Sequence, residues 1–202
     1  MTRTDADVRG AAVEAAGDVR ERVLSTASAL FYRHGVRAVG VDLVVAEAGV
    51  AKTSLYRHFR TKDDLIAAFL QREDEDFWRV WDEVAGRHAG DAAGELAAHL
   101  DWIGDRVGRR GYRGCPQLNV AAEFPEADHP ARKVATAHKL ELRRRLRAIA
   151  ERLDASDPDQ LAGQLSVLVN GAFVSGSVLA ADEAGPMLRA AALGLVAAAR
   201  GS

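Results

Sequence analysis

The chain has 202 residues, of which 48% are hydrophobic and 28% charged, and a formal net charge of -2. That composition suits an ordinary globular chain of one large domain or two small ones, and a protein-wide positive field is excluded. The single Cys115 rules out an intramolecular disulfide and fits a reducing cytoplasm. No apolar run approaches the ~20 residues that would span a membrane, and the N-terminus lacks a signal-peptide core, so a cytoplasmic protein with no membrane partner is expected.

Residues 1 to 17 show no sustained period and are expected to form a flexible tail, from which Arg3 and Arg9 could reach toward a nucleic acid. Asp18 is placed to cap the first helix, with Glu21 completing a capping-box-like pair. Val23, Leu24, Ala27, Leu30 and Phe31 then form an apolar stripe that ends at Gly35. Arg20 and Arg22 lie near the start of that helix.

The segment Val41 to Leu65 organises the rest. Val41, Val44, Val45 and Ala48 keep the 3.6-residue period of one helix face, and Gly49 suits the left-handed residue that ends helices. A second short helix follows through Phe59, with Leu55 and Phe59 four apart and able to face inward. Lys52, Thr53, Ser54, Tyr56, Arg57 and His58 are left on its outer surface. From Ala51 to Lys62 the chain carries Lys52, Arg57, Arg60 and Lys62 and no acid. A short helix with few apolar anchors and an outer face of hydroxyls, an aromatic ring and cations suits a DNA groove, where cations meet phosphates and side-chain tips meet base edges. Helix–turn–helix geometry puts the second helix there.

Thr61 and Asp64 mark a further helix start. With Lys62 beside the helix N-terminus, this is a candidate phosphate clamp. The helix runs to about Val84, with Ile66, Phe69, Leu70, Phe77, Val80, Trp81 and Val84 on its apolar face. Glu73 and Asp74 interrupt that face, which reads as an exposed waist between two domains. Further helices are expected around Leu96 to Val107, from Cys115 to Phe124, and from Pro130 to Leu153. Arg109, Arg110 and Arg113 read as a solvated loop. Asp157-Pro158-Asp159-Gln160 is a strong start signal for a helix over 158–181, and a last helix spans 187–199. The helix over 158–181 has two apolar faces, one with Val167, Asn170, Gly171, Val174 and Val178, and so needs two partners. With Leu188 and Leu195 of the last helix these residues are the candidate dimer interface, a four-helix arrangement of two-fold symmetry, the alternative being a thick single-chain core.

Three sets of words carry a resemblance. They are Leu30-Phe31 with His34-Gly35, then Val44-Val45-Ala46-Glu47-Ala48-Gly49-Val50, then Leu55-Tyr56-Arg57-His58-Phe59 with Lys62 and Leu65. Residues 20 to 70 resemble the DNA-binding domain of the TetR family of bacterial transcriptional regulators. The family often has Ser or Thr where this chain has Gly40-Val41 and Ala51. Gly114-Cys115-Pro116 with Asn119, Ala121 to Phe124 and His129-Pro130-Ala131 resembles a subgroup of the same family. The resemblance implies an all-α homodimer that represses genes and releases DNA on binding a small molecule, and it implies the phosphate role for Lys62.

The expected organisation is therefore a tail over 1–17, a three-helix helix–turn–helix domain over 18–64, and a larger helical ligand-binding and dimerisation domain over 65–202. The expected partners are a palindromic double-stranded operator, a small-molecule effector of open class and a second copy of the chain; no cofactor or metal is called for. Lys52, Thr53, Ser54 and Arg57 are the candidates for base edges and nearby phosphates, and Tyr56, His58 and Lys62 for the backbone. Phe77, Trp81, Trp102, Leu118, Asn119, Phe124 and His138 are the candidate effector contacts, as large apolar groups with a few polar tips. Activation in place of repression stays open. A thiol-responsive regulator using Cys115 is one alternative. A helical enzyme is another, disfavoured because the chain has no HExxH, GxSxG, P-loop or GxGxxG and its histidines lack ligand spacing.

Overall fold

The computed structural model describes residues 5–180 and 182–200, with side chains from Asp18 onward. Among these residues there are nine helices and no strand. α1 (Asp5–His34), α2 (Val41–Ala48) and α3 (Lys52–His58) precede the long α4 (Lys62–Arg87). α5 (Ala92–Val107), α6 (Pro116–Glu123), α7 (Pro130–Arg152), α8 (Pro158–Ser175) and α9 (Ala184–Arg200) complete the fold.

Several boundaries follow from local chemistry the sequence announces. Gly49, at φ 63, ends α2, and the Gly49 and Val50 amides donate back to Ala46 and Val45 carbonyls at 3.2 and 3.1 Å, the hydrogen-bonded left-handed close of a helix. Thr61 and Asp64 form a full capping box: Asp64 N–H donates to Thr61 Oγ1 at 3.0 Å and Thr61 N–H to Asp64 Oδ2 at 3.1 Å. Asp157 caps α8 through the Gln160 amide at 2.9 Å.

Other boundaries differ from expectation. The helix expected to begin at Asp18 begins at Asp5, so most of the expected tail is helical. Its Ala-rich composition explains this, since alanine has the best helix propensity. Asp18 is therefore no cap; it pairs with Arg22 one turn on, at 3.7 Å. Residues 1–4, with Arg3, and the side chain of Arg9 lie outside what is described. α8 stops at Ser175 instead of 181, where Ser175-Gly176-Ser177 offers poor propensity and Ser177 Oγ turns back onto the Val174 carbonyl at 2.7 Å. α9 starts three residues early, at Ala184.

The chain forms two compact units. The first holds residues up to Arg72 together with Val120–Val134, and the second holds Glu73–Asn119 and the residues from Ala135 on. The first is thus larger than the expected domain over 18–64: it takes in the first turns of α4 and a second stretch of chain. Its core is Val23, Leu24, Ala27, Phe31, Val44, Leu55, Phe59, Leu65, Ile66 and Phe69, all buried, and Phe31 packs on Phe69 with centroids 5.9 Å apart. The second unit is built around Leu100, Ile103, Leu142, Leu146, Ile149, Leu165 and Phe173. Glu95, only 5% exposed, is held there by the Arg152 guanidinium through two contacts of 2.7 and 3.0 Å, the bidentate pairing that makes a buried carboxylate tolerable. Glu73 and Asp74, expected at an exposed waist, are half-buried and paired, with Arg106 at 3.4 Å and His138 at 2.6 Å respectively.

Candidate nucleic-acid interface and effector cavity

α3 is seven residues long and is anchored by two side chains. Leu55 is fully buried and Phe59, just past the last turn, is 3% exposed. One helix cannot bury both without turning its other face out. Lys52, Thr53, Tyr56 and Arg57 accordingly stand exposed, and Ser54 and His58 lie half-buried at the flanks. The N-cap positions of α2 and α3 are Gly40 and Ala51, and neither supplies a side-chain cap, as their residue types require.

Several contacts within the helix–turn–helix unit were not evident from the sequence. Lys52 Nζ lies 2.7 Å from Asp42 on α2, and that carboxylate raises its pKa. Arg22 donates to the Gly49 carbonyl at 3.4 Å, which ties α1 to the end of α2. Glu123, the last residue of α6, accepts from the Val36 and Arg37 amides at 3.2 and 2.9 Å, and Arg37 Nε donates to its carbonyl at 2.9 Å. The Arg37 guanidinium lies over Phe124, which stacks on His129 at 3.8 Å. Glu123 thus closes the α1–α2 turn from a position some eighty residues away in sequence, a pairing that no local pattern announces. Phe124, expected in the effector pocket, belongs instead to this cluster in the first unit. Lys62 is half-buried beside the same cluster; burial lowers its pKa, against the attraction of Asp63 and Glu123.

The family model for bacterial regulatory proteins of the tetR family matches residues 23–69, the segment that builds this face. Over most of its length the chain is similar to the solved structure of SCO4454, a TetR-family transcriptional regulator from Streptomyces coelicolor. Identity is 30%, the TM-score is 0.87, and the match covers 91% of this chain and 97% of that one. A TetR-type regulator structure from Streptomyces avermitilis is 32% identical with a TM-score of 0.75, over 90% of this chain and 97% of the other. The chain belongs to the TetR family of transcriptional regulators. Curated relatives match over shorter spans. The HTH-type transcriptional repressor SCO4008 of Streptomyces coelicolor is 29% identical over 127 residues, so that the chain spans 61% of its length. The HTH-type transcriptional activator FasR of Mycolicibacterium smegmatis is 43% identical over 53 residues, 24% of its length. The chain is thus a DNA-binding transcriptional regulator and no enzyme. No helix among its described residues is long and apolar enough to cross a membrane.

In this TetR-family chain the second unit brings together four of the seven candidate effector contacts. Phe77 packs against Trp81, Trp102 and His138, at centroid distances of 6.2, 4.8 and 4.9 Å. Leu118 packs half-buried on the same core. Asn119 does not join them: it is exposed and its amide donates to the Arg113 carbonyl at 2.8 Å, because the left-handed turn at Gly114, φ 92, folds that loop back beneath it. His138 is 3% exposed, with Nδ1 2.6 Å from Asp74. Asp74 also accepts from the Trp78 indole at 2.8 Å. Burial pushes His138 down to about 4, reinforced by the nearby Lys139 charge and opposed by Asp74. A cavity of about 10 Å³ lies among Glu73, Phe77, Arg106, Cys115, Gln117, His138 and Phe173. Asp74, Arg106 and Phe173 escape sequence reasoning because each reaches this place by tertiary packing.

The candidate dimer residues divide. Val167, Val174 and Val178 are 72%, 58% and 78% exposed, and with exposed Gly171 they make one apolar stripe along α8 and just beyond it. Asn170 flanks the stripe with an enclosed side-chain oxygen that has no hydrogen-bond partner among the described residues. Leu188, expected at the interface, is instead 4% exposed within the core of the second unit. Leu195 packs against that core as well. The α9 face turned outward carries Met187 and Leu193 instead.

Proposed function

We propose that this regulator is a cytoplasmic homodimeric repressor that leaves a palindromic operator when a small molecule enters the second unit. The observation that carries the reading is the α3 face: a helix anchored by Leu55 and Phe59 that presents Lys52, Thr53, Tyr56 and Arg57 to solvent, with Lys62 at the N-terminus of the next helix. Lys52, Thr53, Ser54 and Arg57 read base edges or nearby phosphates, and Tyr56, His58 and Lys62 hold the backbone. Each subunit of the dimer places one such helix in a major groove, and the Val167–Val174–Val178 stripe supplies the apolar contact between copies. The effector enters beside Phe77, His138 and Phe173. Three helices, α4, α6 and α7, run unbroken through the unit boundaries at Arg72, Asn119 and Val134, so displacement of any of them by an effector acts on the DNA-binding unit through covalent chain.

The test is binding of the purified protein to the DNA upstream of its own gene, at several salt concentrations, beside Tyr56→Phe and Lys62→Ala. Preference for that fragment over random DNA, with weaker binding by both variants, supports the reading. Indifference to all DNA at low salt overturns the groove assignment.

A further inference from the structure

We propose that Cys115 and Lys139 form a capture site for a small aldehyde, which the two side chains bridge through its carbonyl carbon. Lys139 Nζ lies 3.5 Å from Cys115 Sγ. Cys115 is 7% exposed, and Lys139 is half-buried in the second unit with its ammonium 5.1 Å over the Phe173 ring. No carboxylate accepts from Lys139 at hydrogen-bond distance among the described residues; Cys115 does. Burial lowers the pKa of Lys139, against the attraction of Cys115, and a desolvated lysine is the amine that condenses with carbonyls at neutral pH.

The cavity that Cys115 lines measures about 10 Å³ and is walled by Phe77, Phe173 and His138. That space admits roughly one water-sized molecule. It favours the smallest carbonyl electrophiles and turns away bulky ones. The chemistry closes without an oxidant or a metal. The Lys139 amine adds to the carbonyl carbon and its proton passes to the oxygen, giving a carbinolamine. Loss of that oxygen as water leaves an iminium, and the Cys115 sulfur adds to its carbon while the thiol proton departs with the water. The sum is amine plus thiol plus aldehyde, giving an S–C–N bridge and one water. A one-carbon bridge spans slightly less than the present separation, which the flexible lysine stem can close. The bridge would tie Cys115, next to the start of α6, to the middle of α7, two of the helices that continue into the DNA-binding unit. Capture stands on this geometry alone; its effect on DNA rests on the regulator reading above.

The experiment treats the full-length protein with an equimolar amount of formaldehyde. Intact mass and peptide mapping follow, in parallel with binding to the DNA upstream of its gene, for wild type, Cys115→Ser and Lys139→Arg. The expected result is a mass gain of one carbon atom mapped to a Cys115–Lys139 cross-link, absent from both variants, with operator affinity falling about tenfold in wild type alone. Thermal melts establish that both variants are folded. Carbon found first on Lys52, Lys62 or Lys133 overturns the capture site. Cross-linked protein that binds the operator as before overturns the response. Unmodified protein that ignores the operator counts against the regulator reading only, because the mass readout still decides capture.

Discussion

At the scale of single residues, charge and burial give two expectations. Lys62 is the half-buried cation at the start of α4, and on the proposed reading it holds one DNA phosphate. Lys62→Ala should weaken operator binding on every sequence alike and lower the slope of log affinity against log salt by about one, which a titration at several salt concentrations reads directly. Lys52 differs because Asp42 already holds it at 2.7 Å. Asp42→Asn should therefore strengthen DNA binding, since it frees a cation and removes a neighbouring negative charge. The second expectation concerns pH. His99 and His138 are both pushed down to about 4 by burial, His99 against the attraction of Glu95 and stacked 3.7 Å over Trp81. Their ordinary value is 6.5, so the unfolded chain takes up protons first as pH falls. The stability they contribute is complete above 6.5 and is lost as pH falls from there toward 4. Urea midpoints should drop across that window, and His99→Phe should make the drop shallower.

At the scale of elements, α6 matters for its last residue. The Glu123 carboxylate receives the Val36 and Arg37 amides and lies 3.3 Å from where a Gly35 Cβ would stand. Gly35 has φ +86, a conformation that favours glycine. Glu123→Ala would leave the partly buried Val36 amide without its acceptor, at a cost of about 1–3 kcal/mol. Hydrogen exchange at Val36 and Arg37 should speed up in that variant more than exchange in α8. Unchanged exchange there would mean that the contact does not hold the turn. The same element shows how far local reading reaches. The α6 helix was legible around Cys115 to Phe124. That its end folds against the α1–α2 turn was not, because a carboxylate eighty residues away leaves no period or motif. Phe124 sits apart from the effector candidates for that reason, and Asn119 because the turn at Gly114 brings the Arg113 carbonyl to its amide.

At the scale of the whole molecule, the expectation is an assembly. The Val167–Gly171–Val174–Val178 stripe is apolar and exposed in the single chain, which a contact between copies explains. Val174→Asp with Val178→Asp should yield a folded monomer in sedimentation and, if the operator is the proposed palindrome, abolish operator binding, because a lone subunit would meet one half-site. A double variant that still dimerises would move the interface elsewhere.

The sequence by itself determined the helix–turn–helix. Its signals are short-range: the period of Val41 to Ala48, the left-handed Gly49, the Thr61–Asp64 box and the inward pair Leu55 and Phe59 all act within a few residues. It also determined most of the later helices, through Pro130, Asp157-Pro158 and their apolar stripes. Tertiary structure alone decided which polar groups meet: Glu123 with the α1–α2 turn, Asp74 with His138, Glu95 with Arg152, and Lys139 with Cys115. It also sent Leu188 inward while Val167 and Val174 stayed out. An apolar residue on a two-faced helix has the same local pattern whichever side is covered, and a charge finds its partner only after the chain has packed.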